Sequence, residues 1–106
     1  MKANQAPMYI VIFKATIKAL DTTYSEMAQM LRNKALSQFN CAKFEACSEN
    51  GFEIALSYWH SLEDIQRWQQ DAEHQVAQRL GKEKWYQDFS VEICKIERAY
   101  SSQKEL

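Results

Sequence analysis

Two kinds of hydrophobic periodicity alternate along the chain. Short runs rich in β-branched and aromatic residues, beginning with residues 8–13, predict strands, and similar runs follow at 41–47, 52–59 and 89–100. Between these runs, apolar residues recur every three or four positions over 23–38 and 62–80, which predicts two amphipathic helices. The predicted order is therefore strand, helix, strand, strand, helix, strand.

A two-residue turn sets the register of the two central strands. The pair Asn50-Gly51 is typical of a type I′ hairpin turn, because both residues tolerate a positive φ. The numbers of paired residues then sum to 101, so Phe44 is predicted opposite Ser57. One face of this pair carries small residues and two aromatics, which leaves volume for helix side chains or a ligand: Ala42, Phe44, Ala46, Ala55, Ser57 and Trp59.

Capping signals mark the ends of the helices. Thr23 followed by Glu26, and Ser61 followed by Asp64, fit capping boxes at the two helix starts. Gly81 fits the residue that follows a helix end. We therefore expect the second helix to run without interruption up to Gly81.

The last quarter of the chain shows a change of pattern. Residues 82–88 predict one or two further helical turns, followed by the long strand 89–100. The apolar parity of that strand shifts midway, from Phe89, Val91 and Ile93 to Cys94. This shift predicts a bulge, or two halves that pack against different layers.

The element order predicts an α+β fold of the ferredoxin-like βαββαβ type, with one antiparallel sheet and both helices on one face. The first strand is apolar on both sides, so the other sheet face is open and apolar. We expect a homodimer whose two sheets face each other as a dimeric α+β barrel, with a monomer as the alternative. The predicted organisation is a flexible N-terminal lead-in at 1–7, a single domain at 8–100 and a polar C-terminal tail at 101–106.

Composition narrows the class of protein. A chain of 106 residues with a net charge of -1 lacks the basic footprint of a nucleic-acid binder. The six-residue apolar run at 8–13 is too short for a membrane span or a signal peptide, so we expect a cytoplasmic protein. Cys41, Cys47 and Cys94 have no C-x-x-C spacing, which predicts reduced thiols within strands, buried or half-buried, and no structural zinc site.

Distinctive motifs stand at residues 57–65, Trp68, His74, the pair Trp85-Tyr86 and the closing segment 96–100. These motifs resemble the antibiotic biosynthesis monooxygenase (ABM) domain family, and the similarity runs from about residue 9 to residue 100. The resemblance implies a dimeric α+β barrel. The family includes cofactor-independent monooxygenases that oxidise phenolic or anthrone-like compounds, haem-degrading enzymes and quinone-handling proteins. A Pro-Gly pair frequent in the family is Phe39-Asn40 here.

The haem-degrading branch of the family is disfavoured. In that branch a histidine about ten residues after a helix tryptophan binds iron, and an asparagine lies on the first strand. Ten residues after Trp68 stands Gln78, whose amide is a poor iron ligand, and the first strand has no asparagine. We therefore expect no cofactor and no metal.

The candidate site lies between the second helix and the sheet. Substrate-binding candidates are Tyr9, Phe13, Trp59, Trp68 and Gln78. His74 and Trp68 are the catalytic candidates, although on a straight helix His74 lies nearly opposite the core stripe and reaches a pocket only if the helix kinks. Otherwise His74 is solvated and the two tryptophans are core residues.

Two functions remain open at this stage. The first is a cofactor-independent monooxygenase acting on a small aromatic or quinol-like substrate. The second is a non-catalytic ligand-binding or stress-related dimeric module of the same fold. A cavity lined by tryptophan favours the first function, and a fully packed interior favours the second.

Overall fold

In the computed structural model, the structure of the chain is described for residues 6–102. Positions 1–5 of the predicted lead-in and positions 103–106 of the predicted tail lie outside the described residues. Within 6–102, no helix is long and apolar enough to cross a membrane.

The observed element order confirms the ferredoxin-like α+β fold. The elements are β1 Tyr9–Ile17, α1 Thr22–Gln38, β2 Lys43–Glu49, β3 Phe52–Trp59, α2 Leu62–Gln70, α3 Ala72–Leu80 and β4 Tyr86–Lys95. All sheet pairings are antiparallel, in the order β2-β3-β1-β4. A short π-helical segment, Gly81–Trp85, joins α3 to β4.

The central hairpin forms as predicted. Asn50 and Gly51 both have positive φ, 54° and 79°, as a type I′ turn requires. Phe44 lies opposite Ser57, and every pair of β2 and β3 obeys the same sum of 101. On its other side β3 pairs with β1, with Tyr9 opposite Trp59.

The helices cover one face of the sheet. Val11 of β1 and Trp59 of β3 are buried there against Ala35 of α1 and against Ile65 and Trp68 of α2. Alternate side chains of the strands point to the opposite face. Five apolar side chains on that face are only half-buried: Ile10, Ile12, Ile54, Leu56 and Tyr58.

The ends of α1 differ from the prediction. Asp21, not Thr23, caps the helix, because its Oδ1 accepts the backbone N–H of Tyr24 at 2.8 Å. The same Oδ1 accepts Nε1–H of Trp85 at 3.2 Å, so a contact distant in sequence fixes the helix start. After the helix, Asn40 adopts φ 65°, a conformation that asparagine tolerates better than most residues other than glycine.

The second predicted helix is interrupted, contrary to the expectation of a continuous segment. Its N-cap is confirmed, since Ser61 Oγ accepts the N–H of Asp64 at 3.1 Å. The helix then breaks at Asp71, whose φ and ψ are -58° and 140°. The α-helix ends at Leu80 with Gly81 as its C-cap, as predicted, but Gly81 keeps right-handed helical angles and leads into the π-helical segment. A Cβ at Gly81 would stand 2.9 Å from the ring of Tyr86, so the glycine permits a close approach.

The last strand begins earlier than predicted and ends earlier. Its span is Tyr86–Lys95 rather than 89–100, so the helix predicted over 82–88 ends at Trp85. The register shifts where Thr16 and Ile17 pair with Asp88 and Tyr86, which leaves Gln87 as the extra residue. The bulge therefore lies at the start of β4, next to the π-helical segment, and not midway along the strand, where a bulge was one of the two predicted alternatives.

Candidate functional site

A cavity of about 400 Å³ lies between the helices and the covered face of the sheet. This volume falls within the roughly 300–1,000 Å³ of small-molecule sites. Aromatic rings from both layers line it, among them Phe13, Phe44, Trp68, Trp85, Tyr86 and Phe89.

The cavity has two chemically different ends. The tryptophan end is formed by Phe44, Trp68 and His74, and the tyrosine end by Tyr24, Glu53 and Tyr86. Ser57 of β3 pairs with Phe44 and therefore lies beside the tryptophan end. Glu53 stands four residues earlier on the same strand. Four residues of strand span roughly 13 Å, so the cavity runs along β3.

Trp68 forms a rigid wall at the tryptophan end. Its side chain is buried, and its Nε1–H donates to the carbonyl oxygen of Leu31 at 3.2 Å. Its ring lies 5.2 Å from the ring of Trp59 and meets Phe44 edge-on at 6.1 Å. The indole is therefore held from three sides while it lines the cavity.

The helix break at Asp71 turns the next segment toward the cavity. The Asp71 carboxylate caps α3 by accepting the N–H of Glu73 at 3.1 Å. Lys34 of α1 bridges the break, because its Nζ contacts Asp71 Oδ2 at 2.9 Å and Glu73 Oε1 at 2.5 Å. Hydrogen bonding from Lys34 lowers the pKa of Asp71, so this carboxyl stays ionised well into the acid range. The break is thus fixed by a charge from another helix.

His74 reaches the cavity because of that break. Its ring lies 4.4 Å from the ring of Trp68, and its Nδ1 is 3.2 Å from the carbonyl oxygen of the same residue. A carbonyl only accepts, so Nδ1 carries the proton and Nε2 is left unprotonated in the neutral ring. Burial lowers the pKa of His74 below its ordinary value, against smaller opposing effects of this hydrogen bond and of Asp71. His74 is therefore a neutral base at pH 7.

The tyrosine end holds a carboxylate among phenols. Tyr24 OH donates to Glu53 Oε1 at 2.5 Å, and Tyr86 packs edge-on to Tyr24 at 6.2 Å. Burial raises the pKa of Tyr86 to about 12, and burial with the bond to Glu53 raises that of Tyr24 further. Both phenols therefore stay protonated at neutral pH.

Sequence reasoning did not identify this second cluster. Its members come from α1, β3 and β4, and nothing in their spacing links them. A single signal was present, since Glu53 belongs to the strand face of Ala55 and Ser57 that the hairpin register assigns to the helices.

The structure places the predicted site residues in two groups. Phe13, Trp68, His74 and Gln78 are brought together in the cavity wall. Tyr9 and Trp59 do not line the cavity. Trp59 is fully buried behind Trp68, and its Nε1–H donates to Ser57 Oγ at 2.8 Å.

Thiol and metal chemistry has little support in the described residues. Cys41 is buried but precedes β2 instead of lying in it, while Cys47 and Cys94 are exposed, contrary to the expectation of three buried or half-buried strand cysteines. Within 6–102 there is no group of three or more His, Cys, Asp or Glu side chains arranged to hold a metal ion.

Sequence comparison identifies a related protein. No family model matches the chain. YqjZ of Bacillus subtilis, an uncharacterised protein, is 34% identical over 98 residues, which cover 92% of this chain and 86% of YqjZ.

Solved structures agree with the fold. SnoaB of Streptomyces nogalater, a cofactor-independent oxygenase, superimposes with a TM-score of 0.73 at 7% identity, over 89% of this chain and 97% of SnoaB. A protein named antibiotic biosynthesis monooxygenase gives a TM-score of 0.70 at 16% identity, over 86% of this chain and 100% of its own. The fold is therefore that of the ABM proteins, which confirms the resemblance seen in the sequence. The chain belongs to the same family as YqjZ.

Proposed function

We propose that this protein is a cofactor-independent monooxygenase that acts on a small aromatic or quinol-like substrate. The observation that carries the proposal is the pairing of a neutral histidine base with an aromatic cavity of about 400 Å³. A planar substrate fits beside Trp68, within reach of a base. SnoaB, which shares the fold, is described as a cofactor-independent oxygenase.

In the proposed reaction, His74 begins the chemistry and O₂ is the oxidant. Nε2 of His74 removes a proton from the substrate, either from a phenolic hydroxyl or from the acidic carbon of the keto tautomer. An electron-rich anion is left. One electron passes from this anion to O₂, and the resulting radical and superoxide combine to form a C–O bond.

The peroxide then decomposes with balanced atoms. His74 returns its proton to the outer peroxide oxygen. The reacting carbon loses its remaining hydrogen as a proton, the O–O bond breaks, and water leaves. The net change is conversion of a CH₂ group and O₂ into a carbonyl group and water, so the substrate itself is oxidised and O₂ is reduced.

The other predicted residues have binding roles in this proposal. Phe13 and Trp68 contact the faces of the substrate, and the amide of Gln78 hydrogen-bonds to its polar edge. Trp59 acts indirectly, because it packs behind Trp68 with the two rings 5.2 Å apart. Tyr9 supports the same core from β1. The aromatic rings of the cavity wall shield the reactive anion.

We further propose a cytoplasmic homodimer joined through the open sheet face. The five half-buried apolar side chains on that face support this assembly, since soluble monomers rarely expose such a contiguous patch. Three free thiols fit a reducing compartment.

The test is oxygen consumption by the purified protein. A panel of anthrones, quinols and naphthols is presented in buffer containing a metal chelator, and O₂ uptake is followed with an electrode. We expect catalytic uptake with at least one member, abolished by denaturing the protein. Tight binding of panel members with no uptake above the buffer rate contradicts the proposal and favours a ligand-binding module.

A further inference from the structure

Glu53 lines the tyrosine end of the cavity together with a cluster of aromatic rings. Tyr24 meets Trp85 edge-on at 5.2 Å, and Phe13 lies 5.4 Å from Tyr86. Phe89 completes the cluster, 5.7 Å from Phe13. One carboxylate thus shares this part of the cavity lining with five rings.

The charge of this carboxylate is not balanced by an ion pair. In the part of the chain that the structure describes, the acidic partners of the ion pairs are Glu45, Asp64, Asp71 and Glu73. Glu53 instead accepts a hydrogen bond from Tyr24. An ionised carboxylate in an apolar cavity favours a positive neighbour. The negative charge of Glu53 also contributes to the raised pKa values of both Tyr24 and Tyr86.

We propose that the tyrosine end of the cavity is a subsite for a positively charged amine on the ligand. The inference rests on the proposed function only in taking this cavity as the substrate site. Ring faces attract cations through their quadrupoles, and a carboxylate beside them supplies the counter-charge. The substrate class is thereby narrowed to aromatic compounds that carry a protonated or quaternary amine.

The direction of the hydrogen bond between Tyr24 and Glu53 also favours a positively charged ligand group at this end. The Tyr24 hydroxyl gives its hydrogen to Glu53, so its oxygen offers lone pairs and no hydrogen to a ligand. A phenolate or carboxylate of a ligand would meet the like charge of Glu53 at this end. The oxidised ring is therefore expected at the tryptophan end beside His74, and the amine roughly 13 Å away along β3.

The test compares two phenols of nearly the same shape. One is 3-hydroxyphenyltrimethylammonium and the other is 3-tert-butylphenol, which differs in having carbon in place of the charged nitrogen. Both are too short to span the cavity, so they test the tyrosine end by itself. Affinities are measured anaerobically by calorimetry. We expect the wild-type protein to bind the cation at least tenfold more tightly. This comparison needs no variant, so it decides the proposal even if substitutions at Glu53 impair folding.

Two variants then test whether Glu53 causes the preference for the cation. Glu53→Gln removes the charge and keeps an acceptor for Tyr24, so the ratio of affinities should fall to about one while the neutral phenol binds as before. Glu26→Gln is the matched control, because Glu26 is exposed on α1 and outside the cavity lining. It should keep the tenfold preference.

Several results overturn the inference. They are equal affinities for the two probes, binding of neither probe, and a cation preference that survives in Glu53→Gln. The outcome is independent of oxygen chemistry. A protein that prefers the cation through Glu53 but consumes no O₂ retains this subsite and loses the proposed oxygenase function.

Discussion

The imidazole of His74 packs on the indole of Trp68 with ring centroids 4.4 Å apart, while its Nδ1 contacts the backbone oxygen of that same residue at 3.2 Å. One residue thus fixes both the plane and the tautomer of the other. The free nitrogen, Nε2, is the one the proposed reaction needs, and its basicity is set by burial.

Replacing His74 should remove the proton-transfer step. His74→Asn is expected to lower kcat by about 10²- to 10⁴-fold, with a small change in KM. Because burial lowers the pKa of His74, the wild-type rate should stay constant above pH 6.5 and decline only as the pH falls below that value. The exposed His60 provides the control, and His60→Asn should leave the rate unchanged. A pH–rate limb centred above 6.5 contradicts this role.

The Lys34 bridge should control the environment of His74. Lys34→Met removes the contacts that fix the start of α3, and it removes a nearby positive charge. Both effects favour protonation, so the pKa of His74 should rise toward 6.5 in an NMR titration. Lys43→Met breaks an exposed ion pair with Glu45 on the opposite sheet face and should leave the pKa of His74 unchanged. If His74 titrates identically in the two variants, the Lys34 bridge does not control its environment.

The buried bond between Trp59 and Ser57 should matter for stability. Ser57→Ala leaves the indole N–H of Trp59 without its partner in a fully buried position. The free energy of unfolding in urea should fall by about 1–3 kcal/mol. Ser48→Ala, at an exposed position of β2, should change it by less than about 0.5 kcal/mol. Equal effects would show that the bond contributes little.

The open sheet face should determine assembly. Leu56→Glu places a charge at the centre of the half-buried apolar patch, and sedimentation should show a shift from dimer to monomer. Leu36→Glu adds the same charge at an exposed position of α1 and should leave the dimer intact. A wild-type protein that sediments as a monomer at micromolar concentration rules out this interface.

Much of the fold was predictable because its determinants are local. The Asn50-Gly51 turn fixes the register of β2 and β3 through backbone conformation alone, and Ser61 caps α2 through its own neighbour in the helix. A short run of β-branched and aromatic residues identified β1. In each case the controlling residues lie within a few positions of the structure that they set.

The unpredicted features depend on contacts distant in sequence. The break at Asp71 is fixed by Lys34 of another helix, and the cap of α1 is shared with Trp85. Without the break, His74 would point away from the core. The same explanation holds for the cluster around Glu53. The aromatic rings that line the cavity with it come from β1, β4, α1 and the π-helical segment, which are distant in sequence. Periodicity carries no information about such pairings.

Isotope labelling during turnover of an active panel substrate tests the central claim most directly. The reaction is run under ¹⁸O₂ in chelator-treated buffer, and the product is examined by mass spectrometry. The proposed mechanism predicts that one ¹⁸O atom enters the new carbonyl group and the other appears in water. An unlabelled product, or accumulation of hydrogen peroxide in place of oxygen insertion, would contradict a monooxygenase.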